Sequence, residues 1–272
     1  MDKINLAAMV RNTGRQRTLR PVTATMASEN ELYLICMEGV RIWQREIKAR
    51  LLPLYATPTF GMTTDADGAE LQWLIDQIDR DVNNRVFYQT EKLGRWVTRQ
   101  GETHTHKTIA SAKSATGVDV SPYLRMSDIR ETLNNSIQVN VDLIRGLDAD
   151  TKRRVENIIF DGIAMRRNQK YITKALAQAL GRSQRKARII ARDQTHKLNS
   201  LLTRLRNEQL GVDAYIWRTM RDDRVRKAHA DREGKVFRWQ DPPPDGHPGY
   251  PINCRCHSEA VLHYGDTEDN GA

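Results

Sequence analysis

The sequence predicts an α+β protein: a mainly α-helical N-terminal region, then a small C-terminal domain of a long helix and short antiparallel strands. Three observations carry that prediction. Apolar residues recur at three- and four-residue spacing through most of residues 28–209. After Gly211 the pattern changes to alternation, as in Ala214-Tyr215-Ile216-Trp217-Arg218. Residues 241–249, Asp-Pro-Pro-Pro-Asp-Gly-His-Pro-Gly, suit neither a helix nor a strand interior.

Residues 1–27 are polar, with Arg11, Arg15, Arg17 and Arg20 opposed only by Asp2. They read as an extended basic arm or as a disordered tail. Ser28 to Glu31 has the form of a capping box, and Leu32, Ile35, Trp43, Ile47 and Leu51 follow on one helical face until Pro53. A second helix is predicted from Asp67, with Leu71, Leu74, Ile75, Ile78, Val82 and Val86 as its apolar stripe, running on to Trp96 and Val97. Residues 101–120, rich in Thr, Ser, Ala and His, read as a linker or long loop. His104 and His106 within it form a weak metal pair, and a solvated loop is the preferred reading.

Pro122 sits where a helix would begin, behind Ser121. Met126 to Ile144 gives a stripe closed by Gly146. Val155 to Ile159 suggests a short helix, and Tyr171 to Leu180 another that stops at Gly181. A long helix is then predicted from Ser183 to about Gln209. Its first half is basic, with Arg182, Arg185, Lys186, Arg188 and Arg192. Strands are predicted over 213–220, 235–239 and 254–262, with a helical turn between Arg224 and Ala230. The resulting division is a basic arm (1–27), a helical region (28–181), a compact terminal domain (182–264) and a polar tail (265–272).

Composition narrows the function. With 43 Lys and Arg against 34 Asp and Glu, the formal charge is +9, which suggests an anionic partner, nucleic acid first. No apolar run reaches the length of a membrane span, and the first residues lack a secretory signal layout, so no membrane partner and a cytosolic origin are expected. Three cysteines, Cys36, Cys254 and Cys256, exclude a disulfide framework.

The chemistry-bearing residues crowd into 217–257. Cys254 and Cys256 would face opposite ways on a regular strand, so a bend is needed to turn both sulfurs to one ion. With His229 and His257 they make a candidate zinc set of two sulfurs and two nitrogens. The alternative is that the cysteines are small buried apolar residues and His229 a hydrogen-bonded core histidine. A metal-dependent enzyme, nuclease or transferase, using Asp222, His229, Cys254 and Cys256 is the competing functional reading. Against it, Asp222 can cap the turn that follows it, leaving Arg224 and Arg226 to local ion pairs.

Residues 187–262 resemble the phage Mu F-like head-morphogenesis family, the minor capsid proteins of tailed phages. The resemblance rests on Ile189-Ile190-Ala191-Arg192-Asp193-Gln194-Thr195, Gly211-Val212 and Trp217-Arg218-Thr219. It continues through Asp222 to His229, with Arg224 and Arg226, then Asp231 to Phe237 with Gly234, and ends on Ile252-Asn253-Cys254-Arg255-Cys256. Two positions depart from it: Asp193 stands where a glutamate is expected, and His257 where a small or β-branched residue is usual, so the resemblance lends His257 no ligand role. It implies a non-enzymatic structural protein of the virion. Such a protein would join the head interior near the portal vertex after assembly in the host cytoplasm. Its partners would be the portal protein, the major capsid or scaffolding protein and packaged double-stranded DNA, with roles in packaging or ejection. Arg11, Arg15, Arg17, Arg20 and the basic helix Arg182 to Arg192 are the candidate DNA contacts. No cofactor is expected beyond a structural zinc.

Overall fold

The structure is a computed structural model that describes residues 3–10, 17–56 and 64–262. Helix α1 (Met26–Glu46) continues through a more widely wound π segment (Ile47–Leu51) into α2 (Leu52–Tyr55). The long helices α3 (Thr64–Thr116), α4 (Arg130–Ala164) and α5 (Gln169–Gln209) follow. The chain then makes β1 (Ala214–Arg218), the single turn α6 (Lys227–Ala230), β2 (Val236–Arg238) and β3 (His257–Val261). The strands form one antiparallel sheet in the order β2-β1-β3, with Tyr215 opposite both Phe237 and Ala260. The molecule is α+β, as the sequence predicts. Among the described residues no helix is long and apolar enough to cross a membrane.

The helices are longer than their apolar patterns suggest. Residues 101–116 are not a linker but the last turns of α3. Their buried face is built of small and polar residues, so it leaves little periodicity to read. Thr105, Thr108 and Thr116 return their hydroxyls to the carbonyls of Gly101, His104 and Ala112, which keeps the hydroxyls satisfied inside the helix. Gly101 packs so closely that a Cβ there would lie 3.1–3.2 Å from Met126, Ile129 and Leu133. Gly146 and Gly181 do not end helices either; α4 and α5 pass straight through them. The Gly146 position is exposed, with open space for a Cβ, so its glycine interrupts the pattern without interrupting the backbone ladder. At the start of α1 the cap is Thr25, whose hydroxyl accepts the Ser28 N–H at 3.2 Å, and the Ser28 hydroxyl is buried without a partner.

Two compact units divide the chain, and the division does not fall at residue 182. One comprises residues 30–95 and 137–191. Its core includes Leu32, Trp43, Leu71, Ile75, Ile78, Val155 and Ile172, all fully or almost fully buried. Lys152 donates to Asp76 at 3.0 Å and to Asp79 at 3.2 Å. Asp148 is the anomaly: both carboxylate oxygens are buried without a hydrogen-bond partner. Burial, reinforced by the charge of Asp79, pushes its carboxyl up to about 7. Gly39 makes the room for it, since a Cβ at that position would fall 2.2 Å from Asp148 Oδ1.

The other unit comprises residues 1–29, 96–136 and 192–272. Leu6, Leu19, Ala112, Val120, Leu124, Leu210, Val212, Ala260 and Leu262 form its apolar core. The described residues of the N-terminal segment are therefore not a free arm. Ile4 and Leu6 donate to the carbonyls of Gln209 and Leu210, both at 2.9 Å. Leu19 donates to Ala260, Leu262 donates to Arg17, and Thr18 lies opposite Val261, so this stretch extends the edge of β3. Gly211, at φ +67°, is required here: a Cβ would stand 2.4 Å from the Ile4 carbonyl oxygen. Arg206 is wholly buried, its guanidinium bonded to Thr105, Gln209 and the Arg125 carbonyl.

Candidate functional site

The segment from β1 to β3 contains little regular structure and is held by side chains. Trp217, fully buried near the end of β1, is its centre. Its ring meets His229 edge-on at 5.2 Å and Phe237 at 5.9 Å, and the Arg232 guanidinium lies over it at 4.9 Å. Tyr215, Trp239, Cys254 and Cys256 complete this second core.

Around Trp217 the charged residues lock the loops. Glu233 accepts from the Thr219 backbone N–H (2.6 Å), from its hydroxyl (2.7 Å) and from Arg221 (3.0 Å). Although burial opposes it, these bonds hold the Glu233 carboxyl down to about 2. Asp222 accepts from Arg255 at 2.8 Å and from the Arg224 N–H at 3.3 Å, which lowers its carboxyl from the ordinary range. The Arg224 side chain itself is exposed, whereas Arg226 donates to the Ile252 carbonyl at 2.5 Å. Gly234, at φ +77°, turns the chain so that its N–H reaches the Trp217 carbonyl at 2.9 Å. Asn253 adopts φ +58°, and its N–H donates to Asp193 Oδ1 at 2.8 Å. The Asp193 position, noted in the sequence only as a departure, thus fastens the cysteine turn to α5.

That turn resolves the alternation problem. Cys254 and Cys256 lie before β3 rather than on it, and both sulfurs converge on His229. The distances from His229 Nδ1 are 3.5 Å to Cys254 Sγ and 3.6 Å to Cys256 Sγ. All three residues are buried, and their donor atoms lie within 4.8 Å of one another. The two thiols share their protons unequally. The hydrogen bond between them draws the Cys254 thiol below the ordinary thiol range and pushes Cys256 upward. On the far side of the imidazole, His229 Nε2 is 2.9 Å from Asp245 Oδ2, and Arg232 donates to the other Asp245 oxygen at 2.5 Å. Asp245 sits in the proline-rich loop, where the sequence offers no signal for its role.

The remaining candidates are placed elsewhere. His257 lies outside the sulfur cluster. It lines a cavity of about 320 Å³ with Glu29, His196, Met220 and Arg255, and its Nδ1 is buried without a partner. His104 and His106 are no metal pair: His104 is buried against Thr203 at 2.9 Å, with burial driving its ring down to about 3, and His106 is exposed. Asp222, engaged by Arg255, is absent from the cluster that an enzyme would draw on.

Of the basic candidates, Arg11 and Arg15 lie outside the described residues. Arg17 is half-buried and Arg20 exposed. On α5, Lys186 is paired with Asp150 and Arg188 stacks over Tyr33 at 4.2 Å. Arg182 and Arg185 are exposed, and Arg192 is half-buried.

Residues 153–259 match the family model described as "Phage Mu protein F like protein". An uncharacterized protein of Haemophilus influenzae (strain ATCC 51907 / DSM 11121 / KW20 / Rd) is 33% identical over 177 residues, or 64% of this chain. The match spans 40% of that protein's length. No solved structure matches.

Proposed function

We propose, from the match of residues 153–259 to the Phage Mu protein F like family model, that the protein is a structural head-morphogenesis protein of a tailed phage. In this reading it is a minor, non-enzymatic component of the virion head at the portal vertex. The family match is the observation that carries the reading. The geometry supports it: Asp222 and Arg255 hold each other, Thr219 is held by Glu233, Arg226 by the Ile252 carbonyl, and the backbone N–H groups of Gly234 and Asn253 by Trp217 and Asp193. Side chains so occupied suit an architectural module better than a reaction centre. The competing metal-dependent enzyme loses Asp222 as a participant, since Arg255 holds it.

A portal or capsid partner needs apolar surface, and α3 offers some: Trp73 and Phe87 are 57% and 75% exposed, with Tyr88 beside Phe87. Purified procapsids and virions should both contain the chain in low copy number, read by mass spectrometry and placed by cryo-microscopy. Its absence from both particles removes the proposal.

Binding of packaged DNA is the finer part. On the basic helix Arg182, Arg185 and Arg188 are exposed, Arg188 being stacked over Tyr33, and Arg20 with Lys107 lines a groove of about 730 Å³ together with Ser111 and Ser114. Cations of this kind meet phosphates without reading sequence. Duplex binding should weaken with salt, and R182A/R185A should flatten the slope of log K against log salt by about 2, roughly 0.9 for each phosphate no longer neutralised. An identical slope in the variant shows that neither arginine touches the duplex.

A further inference from the structure

The His229, Cys254 and Cys256 cluster has the dimensions of a tetrahedral zinc site. With Zn–S bonds of about 2.3 Å and a Zn–N bond of about 2.0–2.1 Å, a tetrahedral angle separates sulfur from nitrogen by about 3.6 Å. The two separations here are 3.5 and 3.6 Å. Two sulfurs and one imidazole nitrogen are the donors that a soft-accepting divalent ion selects over oxygen-seeking Mg²⁺ or Ca²⁺.

The surroundings are those of a ligand set and not of ordinary core packing. Asp245 holds the imidazole by its other nitrogen at 2.9 Å, the carboxylate–histidine arrangement that fixes a metal-ligating ring. Arg232 in turn fixes Asp245 at 2.5 Å. The Gly249 N–H points at Cys254 Sγ at 3.4 Å, as a donor stabilising a metal-bound sulfur does. Gly249 is at φ +85°, and a Cβ there would press on Ser200 at 3.1 Å, so the chain keeps a glycine where the backbone must come close.

We infer that this protein binds one zinc ion through His229 Nδ1 and the sulfurs of Cys254 and Cys256. The ion's role is structural. The stretch between β1 and β3 has only α6 and the three-residue β2 as regular structure. Zinc joins α6, which carries His229, to the turn that leads into β3, fastening the two ends of that stretch. Small modules with few apolar residues commonly need such a staple.

The full chain, purified without added chelator, should contain close to one zinc per chain by inductively coupled plasma mass spectrometry. Replacing zinc with cobalt should give sulfur-to-cobalt charge-transfer absorption and the intense visible bands of a tetrahedral ion. A strong chelator should lower the melting temperature of the sheet unit. Cys254→Ser with Cys256→Ser should lose the metal and unfold that unit. Because that double variant destroys the fold it tests, Asp245→Asn is the second arm: it should remain folded and bind zinc 10–100-fold more weakly. Metal-free protein with a melt indifferent to chelator overturns the inference, as does a bound ion other than zinc. A zinc affinity unmoved by Asp245→Asn overturns it too. None of these readouts depends on whether the protein enters a phage head.

Discussion

Trp217→Ala is expected to cost about 3–5 kcal/mol of folding stability, the range for truncating a large, fully buried aromatic. The side chain has no exposed surface, and its ring is the common neighbour of His229, Phe237 and Arg232. The sheet it anchors has strands of five, three and five residues, too few ladder bonds to survive alone. Loss of this core should therefore open the whole segment from β1 to β3. Hydrogen exchange should show amides in 214–261 losing protection while those of residues 71–93 keep theirs. A melting curve close to wild type would contradict the placement of Trp217 at the centre of the module. Trp217→Phe, which keeps an aromatic in the site, should be milder.

The second large effect depends on pH. Asp148 is almost fully buried with neither oxygen paired, and its carboxyl titrates near 7 instead of near 3.8. The folded state therefore holds this proton more tightly than the unfolded chain. The sign follows: the contribution is fully present below about pH 4 and is lost as pH rises through 7. A displacement of about three units corresponds to about 4 kcal/mol, as an order of magnitude. Asp148→Asn stays neutral throughout. It should flatten the stability profile between pH 4 and 7 and raise the melting temperature at pH 8, although the new amide must find partners in a crowded place. Parallel pH profiles for the two proteins would show that the Asp148 carboxyl ionises freely in the folded state.

Much of this was legible in the residues themselves. The alternation at Tyr215 and Trp217 gave a strand, and the stripes of Leu32 to Leu51 and Leu71 to Val86 gave helices. The helices run past their apparent ends for one physical cause: Gly101, Gly146 and Gly181 look like breaks, yet a glycine costs a helix only about 1 kcal/mol, which packing overcomes. The buried face of residues 101–116 is polar and small, so no hydrophobic period announces it. In the site, His229, Cys254 and Cys256 are evident as a group by residue type, but together with His257, which the fold leaves outside the cluster. Their convergence is not, because it depends on Asn253 at positive φ and on Asp193 reaching from α5. Asp245 is invisible in a proline-rich loop until the fold brings it to His229. In the N-terminal segment the charge pattern hides Leu6 and Leu19, which are buried in the apolar core.

The pairing of Thr18 with the last strand has a kinetic consequence. The Thr18 hydroxyl bonds Glu259 across 241 positions of chain, and Leu19 meets Ala260 beside it. Closing so long a span costs about 2–3 kcal/mol more chain entropy than closing one of about ten residues. Pairings this distant form late and slow the search for the native state. During synthesis Arg17, Thr18 and Leu19 must wait for these partners until the ribosome has released residues 259–262, so this edge of the sheet forms only after translation has passed the last strand.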